Sequence, residues 1–262
     1  MKNSIYSSVT TFILIFAFAI SVNGQDNKRE FYQLKTYFLK DANQEKVVDT
    51  YLKDAYLPAL KRTGIENVGV FKPIPKEDAD ALKIYVLIPF NSLDQFLKLD
   101  HMLAQDKSYV SAGANYINAK HDNAPYERIS STLMKAFSEM PVMEASKVTG
   151  PRKDRVYELR SYESATEAIY QNKVDMFNIG GEVELFESLG FNAVFYAEVI
   201  SGDRMPNLMY MTTFENMESR DAHWDAFRTA PKWLKLKVDP NYQNNVSKSD
   251  ILLLYPTAYS GY

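Results

Sequence analysis

Cysteine is absent from the 262-residue chain. That excludes disulfides, thiolate nucleophiles, cysteine metal sites and a lipid-modified cysteine behind a leader. Histidine is scarce: His101, His121 and His223 are all there are, and no two share the i, i+4 spacing around a glutamate that a helical metal site needs. No metal and no cofactor are expected. A basic excess is missing as well. Thirty Lys and Arg stand against 33 Asp and Glu, which argues against the strongly cationic face of a nucleic-acid binder. No phosphate-binding Gly-rich loop, dinucleotide fingerprint or Gly-x-Ser-x-Gly elbow occurs, so nucleotide enzymes and serine hydrolases of the usual kinds are set aside. Long apolar runs are absent except Val9 to Val22, which follows Lys2 and ends at Val22-Asn-Gly24. That run is short for a bilayer span of roughly 20 residues and is followed by compact residues suited to cleavage. It reads as a signal peptide over residues 1–24. The mature protein is then exported, periplasmic or extracellular, and free of the membrane after cleavage. Its core must hold without disulfides, which two halves of ordinary domain size allow.

What the chain has in abundance is itself. Phe31-Tyr-Gln-Leu-Lys-Thr-Tyr37 returns as Val156-Tyr-Glu-Leu-Arg-Ser-Tyr162. Leu60-Lys-Arg-Thr-Gly64 returns as Phe186-Glu-Ser-Leu-Gly190, and Ile84 to Phe90 as Met209 to Phe214. Such a period is too long for a solenoid unit, so it marks a duplicated domain: 25–150 with an inter-repeat segment, then 151–262.

Within each copy the elements follow one order. Alternation predicts a strand over Glu30–Leu39. Val47, Val48, Tyr51, Leu52, Ala55, Tyr56, Ala59 and Leu60 then mark one helical face, closed by Gly64, with Pro58 predicting a kink or a helix restart near Tyr56. Strands over Asn67–Lys72 and Leu82–Pro89 follow. Ser92-Leu-Asp-Gln95 opens a helix with a capping box, and Glu127–Phe137 closes the copy. The second copy reads strand Arg155–Ser164, then helix Thr166–Leu189 interrupted at Gly180-Gly181. Strands Asn192–Ile200 and Asn207–Phe214, helix Asn216–Arg228 and strand Ser249–Tyr255 complete it. Residues 104–124 fit a loose helix or an ordered loop equally. The expected fold is α+β: two ferredoxin-like βαββαβ repeats.

Such sheets carry helices on one face only, and the other needs a partner. Tyr32, Leu34 and Thr36 project one way, Gln33, Lys35 and Tyr37 the other. In the copy Tyr157, Leu159 and Ser161 oppose Glu158, Arg160 and Tyr162. The second set is polar and aromatic in both copies, and the expectation is that the two sheets meet through it, forming one pseudo-twofold barrel within the chain.

Val156-Tyr-Glu-Leu-Arg-Ser-Tyr-Glu163, Arg204-Met-Pro-Asn-Leu-Met-Tyr-Met211, Trp224-Asp-Ala-Phe227 and Pro231-Lys-Trp233 resemble NIPSNAP-family domains, and Ile129 to Phe137 resembles the inter-repeat segment of exported tandem members. The resemblance implies the dimeric α+β barrel superfamily with the dimer fused into one chain. That fold is shared by cofactor-free monooxygenases and by haem enzymes such as chlorite dismutases. It implies no catalytic residue, because the family has no settled activity, and fold does not give function.

The candidate pocket residues are Glu158, Arg160, Tyr162, Tyr196, His223, Lys35 and Tyr37. Glu158 and Arg160 are either a carboxylate base and an anion-holding guanidinium or a polar network fixing the register of the copies through Lys35 or Gln33. Tyr37, Tyr162 and Tyr196 either line a pocket for an apolar ligand or simply pack. His223 is a base, an axial ligand or an ordinary helix residue. Gly180-Gly181 either lets backbone approach a ligand or marks a kink. The leading expectation is a binder of a small, partly hydrophobic molecule, with a cofactor-independent monooxygenase or isomerase and a protein-interaction module as alternatives. The fused barrel is then a monomer, or pairs further into homodimers.

Overall fold

The computed structural model describes residues 28–75 and 82–262; the expected signal peptide lies outside them. No helix among the described residues is long and apolar enough to cross a membrane. The strands begin close to where the alternating segments put them. Strand β1 is Phe31–Leu39. Asp41 caps α1 (Ala42–Tyr51) by accepting from the Asn43 and Gln44 amides. A π-helical turn at Leu52–Tyr56 then leads into α2 (Leu57–Arg62), with Pro58 in its first turn. The helix restart expected near Tyr56 is therefore a widened turn just ahead of the residue that lacks an N–H. Strands β2 (Gly69–Pro73) and β3 (Leu82–Phe90) follow. Ser92 caps α3 (Leu93–Gln105) through the Gln95 amide, while the Gln95 side chain accepts from the Asn91 amide. The ambiguous segment resolves into two short helices, α4 (Lys107–Ala112) and α5 (Ala114–Ile117), before β4 (Arg128–Ala136).

The second half runs β5 (Val156–Glu163), α6 (Glu167–Asn178), α7 (Glu182–Ser188), β6 (Asn192–Ser201), β7 (Asn207–Phe214), α8 (Met217–Thr229), α9 (Pro231–Leu236) and β8 (Lys248–Pro256). Gly180 and Gly181 separate α6 from α7. A Cβ on Gly180 would lie 2.5 Å from the Met176 carbonyl oxygen, and Gly181 sits at φ +77°. The pair is thus a chain break demanded by backbone geometry, with no ligand needed to explain it. Gly181→Ala is expected to lower stability by about 1 kcal/mol or more, read as a drop in thermal midpoint.

All eight strands close into one antiparallel barrel in the order β1-β3-β2-β8-β5-β7-β6-β4. The first four strands are contiguous in it, as are the last four. Closure happens at two seams. At one, β2 meets β8 with Lys72 opposite Tyr255; at the other, β4 meets β6 with Lys135 opposite Glu198. Among the described residues, both seams join what would otherwise be edge strands of the two halves.

Which face points inward corrects the sequence expectation. The barrel interior is one apolar cluster with members from every strand: Tyr32 and Leu34, Phe71, Tyr85, Met134, Tyr157 and Leu159, Phe195, Met211 and Leu254 among them. Gln33, Lys35 and Tyr37, and Glu158, Arg160 and Tyr162, lie on the outer face beneath the helices. Two further clusters form there. One joins Tyr37, Ile84 and Val86 to α1, α2 and α3; the other joins Tyr196, Tyr210 and Phe214 to α6, α7 and α8. The reason is energetic. A closed interior offers few polar partners, so it takes the more apolar alternate residues, and even there the buried Tyr157 hydroxyl finds no hydrogen-bond partner among the described residues. The polar and aromatic set goes where helix side chains can pair with it.

Candidate functional site

Strand β5 places Glu158, Arg160 and Tyr162 in a row on the outer face, because alternate residues share a side. Glu158 is fully buried. Its carboxylate accepts from Arg160 Nε (2.5 Å), Arg220 Nε (2.6 Å) and Trp224 Nε1 (3.0 Å). The expected pairing with Lys35 or Gln33 across the barrel does not occur, since the two strands' outer faces look away from each other. The partners come instead from α8, whose Arg220 and Trp224 lie four residues apart and so on one side of the helix. Burial alone would raise the Glu158 pKa. The Arg220 hydrogen bond, the Arg160 charge and the Trp224 N–H outweigh it and hold the carboxyl below its usual range. The Arg160 guanidinium stacks on the Trp224 ring at 3.7 Å, a cation–π contact in a desolvated setting. Arg160 Nη1 also donates to the Tyr162 hydroxyl (3.0 Å), which lies 2.9 Å from the Tyr210 hydroxyl.

These groups open onto a cavity of about 390 Å³ between the sheet and the helices. Arg160, Tyr162, Tyr210 and Ser249 line the sheet side. Phe186 of α7, Trp224 and Phe227 of α8 and Trp233 of α9 form an aromatic wall, with Arg228 beside them. Lys173 and Glu182 also line it, as a buried ion pair at 2.9 Å, and Lys173 Nζ lies 4.7 Å from the Phe177 ring centre. The arrangement is a largely apolar slot lined by aromatic rings with a few oriented polar groups, the usual build of a small-molecule site.

The other candidates lie elsewhere. Tyr196 lines a separate hollow of about 210 Å³ next to Glu187 and Lys147, and burial raises its hydroxyl pKa. His223 Nδ1 lies 2.6 Å from the Ser219 carbonyl oxygen, and its ring sits against Phe191 and Phe214. It is not among the cavity-lining residues. Lys35 and Tyr37 occupy the corresponding region of the first half, where the space between sheet and helices holds packed tyrosines. Tyr51 stacks on Tyr116 at 3.7 Å between ring centres and is hydrogen-bonded to Tyr109, while Tyr37 meets Tyr116 and Tyr126 edge-on. Burial lowers the Lys35 pKa, with Asp100 opposing, and the ammonium lies over the Tyr56 ring at 5.0 Å. Helices α4 and α5 supply Tyr109 and Tyr116, so the first half has its corresponding space occupied by the chain itself.

A second opening of about 400 Å³ lies at one mouth of the barrel. Four of its polar side chains are paired within the lining, Ser161 with Asn207 and Arg204 with Asp250, and Arg204 also meets Glu163 beside it. Among the described residues no cluster of His, Asp and Glu suited to a metal ion occurs.

Sequence reasoning missed Lys173, Glu182, Phe186, Tyr210, Trp224, Phe227 and Trp233 as cavity residues. Lys173 carried the one available signal, a charge flanked by Val174, Met176 and Phe177 on a helix that buries this side.

The NIPSNAP family model matches residues 157–261, the half that contains the cavity. No curated protein matches the chain. Among solved structures it is similar to a candidate monooxygenase of Fusobacterium nucleatum, at 10% identity and TM-score 0.58 over 87% of this chain and 92% of that one. A candidate monooxygenase of Lactobacillus acidophilus matches at 11% identity, with TM-score 0.56 over 87% of this chain and 94% of that one. An anthrone oxidase-like protein matches at 12% identity and TM-score 0.51 over 87% and 91%. At such identities the likeness shows the fold alone.

Proposed function

We propose that this chain, whose residues 157–261 are a NIPSNAP domain, binds one small, flat, partly hydrophobic molecule in the cleft between β5, β7 and helices α6 to α9. It is an exported protein built from two fused ferredoxin-like repeats that act as an intrachain pseudo-dimer with one working site. The single observation behind this is the asymmetry of the halves. The second keeps a cavity of about 390 Å³ walled by Trp224, Trp233, Phe186 and Phe227, whereas tyrosines from α4 and α5 occupy the corresponding space in the first. Such a molecule would lie against the aromatic wall while Arg160, Tyr162 and Lys173 fix its polar end. No resident cofactor is invoked.

A second reading, a cofactor-independent monooxygenase- or isomerase-type enzyme, draws on one feature: Arg160, Tyr162 and Tyr210 form a hydrogen-bonded polar group opening on an apolar slot. Hydrogen-bond donors already oriented by their neighbours can stabilise charge that develops on a bound substrate.

The chain carries two tryptophans, and both line this cavity. Intrinsic fluorescence is therefore a built-in reporter. Screening polycyclic and heteroaromatic metabolites should find compounds that quench it saturably. At a concentration of about 100 Kd such a ligand should raise the thermal midpoint by roughly 5–10 °C. Midpoint shifts without any change in tryptophan emission would place binding elsewhere and overturn the assignment of this cleft.

A further inference from the structure

The hydrogen bonds at the cavity floor can be counted proton by proton. The Tyr210 hydroxyl is wholly buried, and Tyr162 is its hydrogen-bond partner. A phenol has one proton, and a buried proton without an acceptor is costly. Tyr210 therefore donates to the Tyr162 oxygen. That oxygen already accepts from Arg160 Nη1 at 3.0 Å, so both of its lone pairs are in use. The proton of Tyr162 is left over, and among the described residues no acceptor is bonded to it. Tyr162 is only half-buried and lines the cavity.

We infer that the Tyr162 O–H is the donor that anchors the ligand, and that the ligand is a flat apolar molecule bearing an acceptor oxygen: a carbonyl, enolate or phenolate. The inference rests on the cleft being the binding site, and it adds the chemistry of the ligand's polar end. Two donors pointing at one phenol oxygen polarise its own O–H and strengthen the bond it gives. The Arg160 charge behind it favours an acceptor with negative character. Arg160 is itself fixed by Glu158 and by the face of Trp224, so the donor is oriented before any ligand arrives and little ordering cost falls on binding.

The test compares two probes of nearly the same shape, 2-acetylnaphthalene and 2-ethylnaphthalene, which differ by a carbonyl in place of a methylene. Affinities are measured by calorimetry on the full chain. The wild-type protein should prefer the acetyl compound by about tenfold, the worth of one hydrogen bond of this kind. Tyr162→Phe should abolish the preference while binding 2-ethylnaphthalene as before, which also shows that the variant is folded. Tyr210→Phe should reduce the preference without abolishing it, because Tyr162 loses one of the two donors behind it but retains Arg160 and its own proton in the cavity. Equal affinity of the two probes for the wild type, or a preference that persists in Tyr162→Phe, overturns the inference but leaves the cleft as a binding site. A preference seen only in Tyr210→Phe overturns it too, since the Tyr162 proton would then have been committed to Tyr210. Binding of neither probe overturns the cleft reading, and the inference with it.

Discussion

Glu158→Ala is expected to lower the stability of the folded chain by about 3–5 kcal/mol, the usual cost of removing one partner from a buried ion pair. For a protein of this size the thermal midpoint should fall by roughly 6–20 °C. The carboxylate is the common acceptor for three donors: Arg160, Arg220 and the Trp224 indole N–H. Removing it leaves two guanidinium groups close together and partly desolvated, with an indole N–H unpaired in an apolar cluster. Coulomb repulsion and lost hydrogen bonds then act in the same direction. Glu158→Gln separates the two contributions. The amide oxygen still accepts from Trp224 or one arginine, but the balancing charge is gone, so its loss should be intermediate.

The same residue sets an acid dependence. The folded-state pKa of Glu158 lies below its unfolded value, which is about 4.3 for a free glutamate. Below that pH the unfolded chain takes up the proton first. The stability Glu158 contributes is therefore complete above the unfolded pKa and is lost as pH falls through the lower folded one. The gap in stability between wild type and Glu158→Gln should be widest near neutrality and should close on acidification into that range. A gap that stays constant with pH would show that Glu158 holds no ionic role.

The outline of the fold was legible in the sequence because its signals were local. Alternation from Phe31 to Leu39 and from Val156 to Glu163 gave strands, and Ser92 and Thr166 marked helix starts that their side chains do cap. Alternation also separated two faces of β5, but not which one goes inside. Glu158, Arg160 and Tyr162 looked like the special face and were placed within the barrel. They are special because helix α8 covers them, and Arg220 lies 62 positions away in sequence. Tyr162 and Arg160 were legible as candidates from spacing alone. The Lys173–Glu182 pair was not: Lys173 stands out among Val174, Met176 and Phe177, but its partner lies across the Gly180-Gly181 break, and charged residues on helices are ordinarily solvated. The tyrosines that occupy the first half were hidden for another reason. Tyr109 and Tyr116 sit on two short helices, neither long enough to show a period.

Phe186→Ala should have an effect as large as loss of Glu158, by a different route. The ring is fully buried and lies at the centre of the second helix-side cluster. It stacks on Phe227 at 4.9 Å between ring centres and meets Phe191, Trp224, Tyr210 and Tyr196 within 6.1 Å. Truncation removes the ring's transfer free energy and leaves a void that such rigid neighbours fill poorly, so about 3–5 kcal/mol is expected, read from urea denaturation. Phe186 also lines the cavity, which means the void opens into the proposed site instead of being sealed. An apolar aromatic such as naphthalene should then stabilise the variant more than the wild type, in proportion to the logarithm of its concentration above Kd. A comparable truncation in the first half, Phe90→Ala, removes a ring that is equally buried but packs against Phe96 and not against this cleft. It should be destabilised similarly and gain no additional response to naphthalene over the wild type. Rescue of Phe186→Ala alone would tie the cavity to the second half; equal rescue of both would show only that naphthalene fills whatever hole is made.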